Sequence, residues 1–416
     1  MKQQKHTPER TVNLVAYLAP ELPSLSATFV TNEILALKKL GLTIVPYSIH
    51  RPASPAIGSE TEQLVAETTI IYEQSLTKIF GLIFKRLLIN PWNTIRGLAW
   101  LTGDVFKTGI VRREALKLIY QFYRSVWLAQ DLISKQVEHL HIHFAHVPTQ
   151  VGMYAAALAG VPFSFQTHAN DIFERPLLIK EKIRRAKKAV SISYFNRTLM
   201  EEKGGDLNNV RIVRCGVDSR LTLKDRQNKN SDRPLVIGTL GRLVEKKGVD
   251  TLIEAGRLLK LSQTDFRVEI AGDGPLLNQL KDQVKSSNLA DKIIFKGALP
   301  HPEALEWMQS LDVFVLAGKR DRNGDMDGIP VVLMEAMNFG IPVISTCLSG
   351  IPELVINRQT GLIGEPGDAR ELADNLLEIR NDPQLVDQLI SGAKDRITSE
   401  FDIFLNARRL MDLFNS

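Results

Sequence analysis

The chain has 416 residues, of which 44% are apolar and 24% are charged, and this composition is typical of a soluble globular protein. Its 52 lysines and arginines against 47 acidic residues give a net charge of +5, which favours an anionic partner without identifying one. Two cysteines without CxxC spacing exclude a disulfide framework, and no apolar run approaches the length of a membrane span, so we expect a cytoplasmic protein with two domains of roughly 200 residues each.

The beginning of the chain alternates strand and helix. Residues 11–19 read TVNLVAYLA and predict a strand; because Asn13 interrupts the apolar run and no small-residue cleavage site follows, we do not interpret it as a signal peptide. A predicted helix with apolar residues from Phe29 to Leu40 on one side ends at Gly41, and LTIVPYSI predicts the next strand. This βαβ beginning predicts a parallel sheet.

Residues 76–130 interrupt the alternation with a basic, amphipathic helical pattern. They contain nine basic and two acidic residues, an excess larger than that of the whole chain, and aromatic residues stand between the cations. Such helices are typical of proteins that bind an anionic membrane surface. Core-facing helices of a first domain explain the apolar half equally well, and both interpretations stay open.

Further strands are predicted in HLHIHFAH (139–146), VPFSFQTHAND (161–171) and AVSISY (189–194). The first domain therefore extends over residues 1–220. The polar segment 221–233 follows it as a predicted interdomain linker.

The alternation of strands and helices starts again at residue 234. The strands LVIGTL, FRVEIAG, KIIFKG, DVFVLA and IPVIST are separated by predicted helices at 249–260, 275–286, 302–310 and 330–339. They predict a second Rossmann-like domain over 234–395, with a C-terminal helix within 396–416 that packs back on the first domain. The predicted fold class is α/β, with two Rossmann-like domains that face each other across a cleft and bind ligands outside the carboxyl ends of their strands.

Two cations follow the first strand of the second domain. Arg242 and Lys247 lie in GRLVEKKG, just before a predicted helix, where the helix dipole favours an anion such as phosphate. Taken alone, these residues are also compatible with an ordinary solvated loop. Two acidic residues that follow a later strand of the same domain make a functional site the better interpretation.

Those acidic residues are Asp327 and Glu335, in DGIPVVLMEAM. Glu335 is surrounded in sequence by apolar residues of a predicted helix, and a buried acid needs a partner with hydroxyl or cationic donors. We therefore expect Glu335 to face a ligand or a buried base. Asp327 is a second candidate ligand contact, although an N-cap role for it is also open.

The first domain contains histidines on or after two of its predicted strands. His139, His141 and His143 alternate along one predicted strand and share a face, a pattern that could indicate a metal site. Since no further ligand is apparent, we favour structural or cleft-lining histidines and predict no metal. His168 and Asp171 follow another strand, at the end of the sheet where we expect ligands, and they are candidate functional residues.

These motifs resemble those of the retaining, nucleotide-sugar-dependent glycosyltransferases of family four, which have the GT-B fold. The resemblance rests on GRLVEKKG (241–248), GDGP (272–275), DGIPVVLMEAM, GIPVIS and SGIPELV, and in the first half SATFVTNEILALKKLG, HIHFAH and FSFQTHANDIF look like exopolysaccharide-type, colanic-acid-like members. The chain departs from the family's motif at its first acid, which is usually Glu, because Asp327 is one methylene shorter.

The resemblance implies a role for each candidate residue. Arg242 and Lys247 would hold the donor diphosphate and Glu335 the ribose hydroxyls, while Asp327 would contact the donor sugar. His168 would lie near the anomeric carbon and the C6 hydroxyl, with Asp171 behind it or near the acceptor. Backbone around the donor would come from the following residues: Gly241, Gly272, Gly274, Gly297, Gly328, Ile329 and Pro330.

We therefore predict a metal-independent retaining transferase that moves a sugar from a nucleoside diphosphate, UDP- or GDP-linked, to a free or lipid-linked saccharide of the cell surface. A degenerate transferase acting as a membrane-associated assembly factor is the alternative. A nicotinamide-dependent oxidoreductase is rejected because APELPSLSATF, not a glycine-rich fingerprint, follows the first strand. No nucleic-acid-binding module is recognisable.

Overall fold

A computed structural model describes residues 11–24, 27–52, 59–75, 79–174, 176–221 and 233–416. The described residues form two compact units, with the bounds Met1–Ile192, Arg197–Val213 and Phe404–Ser416 for the first, and Ser193–Asn196 and Arg214–Ile403 for the second. The predicted linker lies outside the described residues except for its two ends. Lys78, in the basic segment, also lies outside them.

The first half of the chain contains a parallel seven-stranded sheet. Its strands are β1 (Leu14–Glu21), β2 (Thr43–His50), β3 (Thr69–Ile70), β4 (His139–His143), β5 (Phe163–Thr167), β6 (Lys188–Ser191) and β7 (Val210–Ile212). The spatial order is β3-β2-β1-β4-β5-β6-β7. The helices are α1 (Thr28–Lys39), α2 (Ser59–Glu67), α3 (Ile79–Ile89), α4 (Pro91–Thr108), α5 (Arg113–Ser134), α6 (Val147–Ala159), α7 (Asn170–Phe173), α8 (Ile179–Arg185) and α9 (Tyr194–Glu202).

Burial explains why this sheet forms. Every residue of β4 and β5 is buried, as expected of central parallel strands covered on both faces. The register pairs Val15 of β1 with His139 of β4 and His141 with Ser164 of β5, so the carboxyl ends of the strands meet at one edge. At that edge, β4 and β5 are followed by the loops that lead to the candidate residues His168 and Asp171.

The second half contains a parallel six-stranded sheet. Its strands are β8 (Leu235–Leu240), β9 (Phe266–Ala271), β10 (Ile293–Gly297), β11 (Val313–Val315), β12 (Val343–Thr346) and β13 (Leu362–Gly364), in the spatial order β10-β9-β8-β11-β12-β13. The helices are α10 (Val249–Leu261), α11 (Leu277–Ser286), α12 (His301–Gln309), α13 (Val331–Asn338), α14 (Ala369–Asn381), α15 (Pro383–Arg396) and α16 (Ile403–Asn415). The α/β class and both Rossmann-like sheets predicted from the sequence are confirmed.

The C-terminal helix α16 contributes to the first unit through its last turns. The ring centroid of Phe414 lies 4.8 Å from that of His139 in β4, and the Lys187 ammonium donates to the Phe414 carbonyl oxygen at 2.8 Å. The backbone N–H of Val12 donates to the side-chain oxygen of Asn415 at 2.7 Å. These contacts attach the end of the chain to the sheet that its beginning forms.

The predicted basic segment forms helices α3, α4 and α5. One face of these helices is buried and the other is exposed. Phe122, Val126 and Leu128 are buried in the core of the first unit, whereas Trp92 and Phe106 are 80% and 69% exposed. Core packing therefore accounts for only one face of these helices. Among the described residues, none of the helices combines the length and apolar character needed to cross a membrane.

Candidate active site

The loops that follow β8, β9 and β10 are connected by backbone hydrogen bonds. Gly241 N–H donates to the carbonyl oxygen of Ala271 at 3.1 Å, and Gly272 N–H donates to that of Gly297 at 2.7 Å. Leu243 N–H donates to the carbonyl oxygen of Asp273 at 2.9 Å. The segments GRLVEKKG and GDGP, far apart in sequence, therefore form one surface at the carboxyl ends of three neighbouring strands.

Glycine is required where these loops approach one another. A Cβ atom on Gly272, whose φ is +130°, would lie 1.9 Å from the carbonyl oxygen of Gly241. A Cβ atom on Gly248, whose φ is +64°, would lie 1.7 Å from the carbonyl oxygen of Ala317, and one on Gly274 would lie 2.6 Å from that of Leu243. No side chain fits at such distances, so these glycines allow the backbone contacts that shape the surface.

The cations of this surface differ in their pairing. The Lys247 ammonium lies 2.5 Å from a carboxylate oxygen of Asp327, and the Lys246 ammonium lies 2.7 Å from Asp325 and 3.5 Å from Asp327. Within the described residues, the exposed side chain of Arg242 has neither a hydrogen bond nor an ion pair. Lys247 and Asp327 are thus together, as the sequence motif suggests, and Arg242 is available to an anion.

Asp327 is ionised in this arrangement. Burial raises the pKa of its carboxyl group, but the charges and hydrogen bonds of Lys247 and Lys246 outweigh burial and leave the pKa below its ordinary value. An ionised carboxylate only accepts hydrogen bonds, so a sugar hydroxyl could donate to it. The N-cap interpretation of Asp327 is wrong: helix α13 begins at Val331 and its N-cap position is Pro330.

Glu335 lies on α13 with its side chain 13% exposed, and one of its oxygens is 2.9 Å from Nε2 of His301. The hydrogen bond and charge of Glu335 raise the pKa of His301 above its ordinary value, although burial opposes the rise. The predicted partner of Glu335 is therefore a histidine in the first turn of α12. Since the His301 side chain is 45% exposed, it can move aside for a ligand hydroxyl.

The segment between Asp327 and α13 is packed rather than exposed. Gly328, Ile329 and Pro330 are all buried. A Cβ atom on Gly350 would lie 2.8 Å from Cγ1 of Ile329, so the SGIPELV segment contacts the DGIP segment directly. This packing fixes the positions of Asp327 and Glu335 on either side of it.

A second polar group of side chains lies in the first unit. His143, at the end of β4, has Nε2 at 3.0 Å from Glu33 Oε1 and Nδ1 at 3.0 Å from Nε2 of His168. Asp171 is fully buried and accepts from the backbone N–H of His168 at 3.0 Å and of Ala145 at 2.8 Å. Burial raises the pKa of Asp171, and these backbone donors oppose the rise. Asp171 therefore lies behind His168 and holds the backbone on which His168 stands.

Among the described residues, one group of side chains, which lies in the first unit, has the spacing to ligate a metal ion. Ligand atoms of Glu33, His141 and His143 lie within 4.8 Å of one another, and all three residues are buried. His139 is not in this group; its Nε2 contacts the Ser164 hydroxyl at 2.8 Å, and Nδ1 of His141 contacts the same hydroxyl at 2.7 Å. The strand histidines do share a face, but the third potential ligand comes from α1 and not from the strand.

The sequence did not predict several polar residues of the surface in the second unit and one polar residue of the first unit. His301, Lys246 and Asp325 are absent from the predicted site, and so is Glu33. The sequence could have indicated His301 and Lys246, because each lies at or near the start of a helix that follows a predicted strand. Glu33 carried none, since it is 110 residues from His143 and stands in an ordinary amphipathic helix.

Solved structures share the whole fold and define its class. The chain superimposes on Anabaena Alr3699/HepE with a TM-score of 0.69 and 16% identity, covering 96% of this chain and 98% of that one. Its TM-score with sucrose-phosphate synthase from Thermosynechococcus elongatus is 0.71 at 17% identity, covering 97% and 98% of the two chains. The fold is that of the GT-B glycosyltransferases.

Sequence comparison identifies the family. The family described as Glycosyl transferases group 1 matches residues 221–396. WcaL of Escherichia coli strain K12, provisionally named a colanic acid biosynthesis glycosyltransferase, is 33% identical over 421 residues, which cover 97% of this chain and 99% of WcaL. The amylovoran biosynthesis glycosyltransferase AmsK of Erwinia amylovora is 35% identical over about half of each chain. The chain belongs to the group 1 glycosyltransferases of the GT-B, family-four type.

Two glycines, Gly248 at the N-cap of α10 and Gly256 within the helix, test the steric account of the surface. Gly248→Ala should destabilise the protein by about 3 kcal/mol, because the new methyl group collides with the Ala317 carbonyl in a left-handed backbone conformation. Gly256→Ala is the matched control within the same helix: its Cβ would lie 3.5 Å from Phe266, an ordinary contact, and helix propensity should make it neutral or slightly stabilising. Urea unfolding measures both, and equal free energies of unfolding would contradict the account.

Proposed function

We propose that the protein is a retaining glycosyltransferase that transfers a sugar from a nucleoside diphosphate to a saccharide acceptor during exopolysaccharide biosynthesis. The observation that carries the proposal is the group formed by Arg242, Lys247 and Asp327 on the glycine-lined surface after β8. Asp327 pairs with Lys247 there, and Arg242 has no side-chain partner in the part of the chain that the structure describes. Such a group fits a diphosphate beside a sugar hydroxyl.

The charges of the group favour the leaving diphosphate. Lys246 and Lys247 are paired with Asp325 and Asp327, so among the described residues Arg242 is the cation of this group that can pair with an arriving diphosphate. The N-cap of α10 is Gly248, which has no side chain to cap the helix, and the positive end of the helix dipole lies there. As the bond between sugar and diphosphate breaks, negative charge would increase on the phosphate oxygens that Arg242 and Lys247 stabilise.

The remaining predicted contacts extend this proposal to the rest of the donor. Glu335 would accept hydrogen bonds from the ribose hydroxyls in place of the bond from His301, and Asp327 would accept from a hydroxyl of the donor sugar. His168 would contact the sugar near its anomeric carbon, with Asp171 holding the backbone of His168. Acceptor attack on the face from which the diphosphate leaves would retain the anomeric configuration.

The side-chain cations offer a route that needs no metal for this step. Arg242 and Lys247 supply the positive charge that a divalent cation would otherwise supply to the diphosphate. The donor is proposed to be UDP- or GDP-linked, and the structurally similar HepE was crystallised with UDP. A degenerate transferase acting as an assembly factor is not favoured, because the chain keeps all the residues that are proposed to bind the donor.

The exposed face of α3–α5 supports an acceptor that is linked to a membrane lipid. Of the eighteen large apolar side chains that are exposed among the described residues, twelve lie between Leu87 and Tyr120. Val111, in the turn between α4 and α5, is 98% exposed. So many exposed apolar side chains on three packed helices are typical of a surface that is covered by a partner or a membrane.

The charges around these side chains favour an anionic membrane. Exposed cations accompany the apolar side chains, namely Lys85, Arg96, Lys107, Arg112, Arg113 and Lys117. Glu114 is the one exposed acidic residue of the described residues 79–120. We therefore propose that α3–α5 bind the inner face of the cytoplasmic membrane, where a lipid-linked acceptor would be found.

The donor can be identified by thermal unfolding without added divalent metal. At about 100 times its dissociation constant, the correct nucleoside diphosphate should stabilise the protein by about 2.7 kcal/mol and raise Tm by about 5–10 °C. Glu335→Ala should remove most of this rise, whereas Glu303→Ala, on the exposed face of α12, should keep it. If UDP, GDP and ADP all leave Tm unchanged, the donor-site proposal fails.

Turnover tests the two cations. Arg242→Ala and Lys247→Ala should each lower kcat about a hundredfold or more, since losing one donor to a developing anion removes about 3 kcal/mol of transition-state stabilisation. Arg257→Ala, on the exposed side of α10, should leave kcat unchanged. The wild-type product should retain the anomeric configuration of the donor in its NMR coupling constant. A variant at Arg242 or Lys247 with normal kcat would remove that residue from the mechanism.

Vesicle sedimentation tests the membrane surface. Binding to vesicles that contain phosphatidylglycerol should exceed binding to neutral phosphatidylcholine and should weaken with salt. Leu116→Ser should weaken binding about tenfold, because a leucine buried in lipid contributes about 1.5 kcal/mol or more. Leu261→Ser replaces an equally exposed leucine on α10 and should have no effect. Equal binding of both variants would contradict this surface.

A further inference from the structure

The chain turns after β4 at Phe144, whose backbone has a left-handed conformation with a φ of +71°. A bulky side chain rarely adopts this conformation, and such residues persist only where surrounding contacts fix them. The ring of Phe144 lies against that of His168, with 4.5 Å between the two ring centroids. The contacts that hold this turn therefore also affect the position of His168.

Buried side chains bind both polar backbone groups of Ala145, the next residue of the turn. Its N–H donates to a carboxylate oxygen of Asp171 in α7 at 2.8 Å. Its carbonyl oxygen accepts a hydrogen bond from the side-chain nitrogen of Lys182 in α8. Asp171 and Lys182 are both 0% exposed. The turn is thus attached to two helices that follow the next strand of the sheet.

Lys182 is unusual because a lysine is rarely buried completely. It also donates to the carbonyl oxygen of Leu177 at 2.7 Å, and the following residue, Leu178, is a second bulky residue with a left-handed backbone, at a φ of +56°. Burial lowers the pKa of Lys182 to about 7. The ammonium has three N–H donors and the neutral amine has two, so either form can donate to both carbonyl oxygens. Lys182 therefore connects two strained turns whatever its charge.

Two further hydrogen bonds hold Phe144 itself. Its N–H donates to the carbonyl oxygen of Gln166 in β5 at 2.9 Å. Its carbonyl oxygen accepts from the hydroxyl of Thr149 in α6 at 2.7 Å. The turn is therefore held from β5, α6, α7 and α8, as expected of a strained conformation that the surrounding structure maintains for a function.

We propose that Lys182 is a positioning residue that keeps Phe144 in its left-handed conformation and thereby holds the ring of His168 in place. Without Lys182, the carbonyl oxygen of Ala145 loses this donor and Phe144 would relax toward an ordinary backbone conformation. Phe29 also lies against His168, at 4.6 Å between ring centroids, but it belongs to α1 and does not depend on the turn. The link to catalysis rests on the proposed function of His168.

Amide hydrogen exchange tests the turn whether or not the protein is a transferase. Lys182→Met keeps the length of the side chain and removes its donors, so the amides of Phe144 and Ala145 should exchange about tenfold faster, as expected for one lost hydrogen bond. Lys180→Met, at an exposed lysine of α8, should leave both amides unchanged. Unchanged exchange in Lys182→Met would overturn the proposal. If that variant does not fold, Thr149→Val releases the same turn at another bond, and unchanged exchange and kcat there would overturn it.

Kinetics separate positioning from stability. Lys182→Met should lower kcat about tenfold or more, because small displacements near the reacting atoms are costly, and should leave the dissociation constant of the nucleoside diphosphate unchanged.

Arg185→Met is the control for stability. Arg185 is another cation of α8, and it donates to both carboxylate oxygens of the buried Asp104, at 2.6 and 2.8 Å. Its loss should lower Tm but leave kcat unchanged at temperatures where the protein is folded. An equal loss of kcat in Arg185→Met would overturn the positioning role of Lys182. Faster exchange in Lys182→Met with normal kcat would overturn its link to the reaction and place the failure in the proposed function of His168.

Discussion

The arrangement of the second unit depends on backbone approaches that exclude any side chain. The loop after β9 touches the loop after β8 at Gly272, and the turn before α10 touches the chain after β11 at Gly248. These contacts bring the segment that carries Arg242 and Lys247 against the segment that leads to Asp327. Because the hydrogen bonds involved are between backbone groups of strand ends, the positions of these side chains are set by the sheet before any ligand arrives.

Ion pairing within the second unit explains how buried charges remain stable without a substrate. Asp327 and Lys247 satisfy each other, and Lys246 is shared between Asp325 and Asp327. A partly buried charge without a partner would be strongly unfavourable, so acidic and basic residues occur there together. In the proposed donor complex, the diphosphate would replace Asp327 as the partner of Lys247, and Asp327 would accept a hydroxyl. Lys246, at 3.5 Å, would remain the cationic partner of Asp327.

The sequence predicts the second unit well and the polar interior of the first unit poorly, for a physical reason. The strands and helices from Leu235 to Thr346 follow clear periodicities, and a parallel sheet necessarily brings their carboxyl ends together. Which side chains pair across that edge depends on loop conformations that periodicity does not describe. For this reason Lys247 and Asp327 were predicted for one site, whereas the partnership of Glu335 with His301 was not. Glu33 could not be predicted for the same reason, because the local sequence does not show which residues of α1 contact β4.

The polar residues of the two units differ in solvent exposure, and they can therefore act on a ligand in different ways. Arg242 is exposed and lacks a partner among the described residues, so it can bind an anion directly. Glu33 and His143 are buried and already bonded to each other, so they can influence a ligand only through a neighbour such as His168. A rigid buried pair suits that purpose, since a hydrogen-bond donor that is oriented in advance needs no reorganisation when a substrate binds. Arg242 can therefore act on an anion through its charge, whereas Glu33 and His143 can act only through the hydrogen-bond geometry of a neighbour.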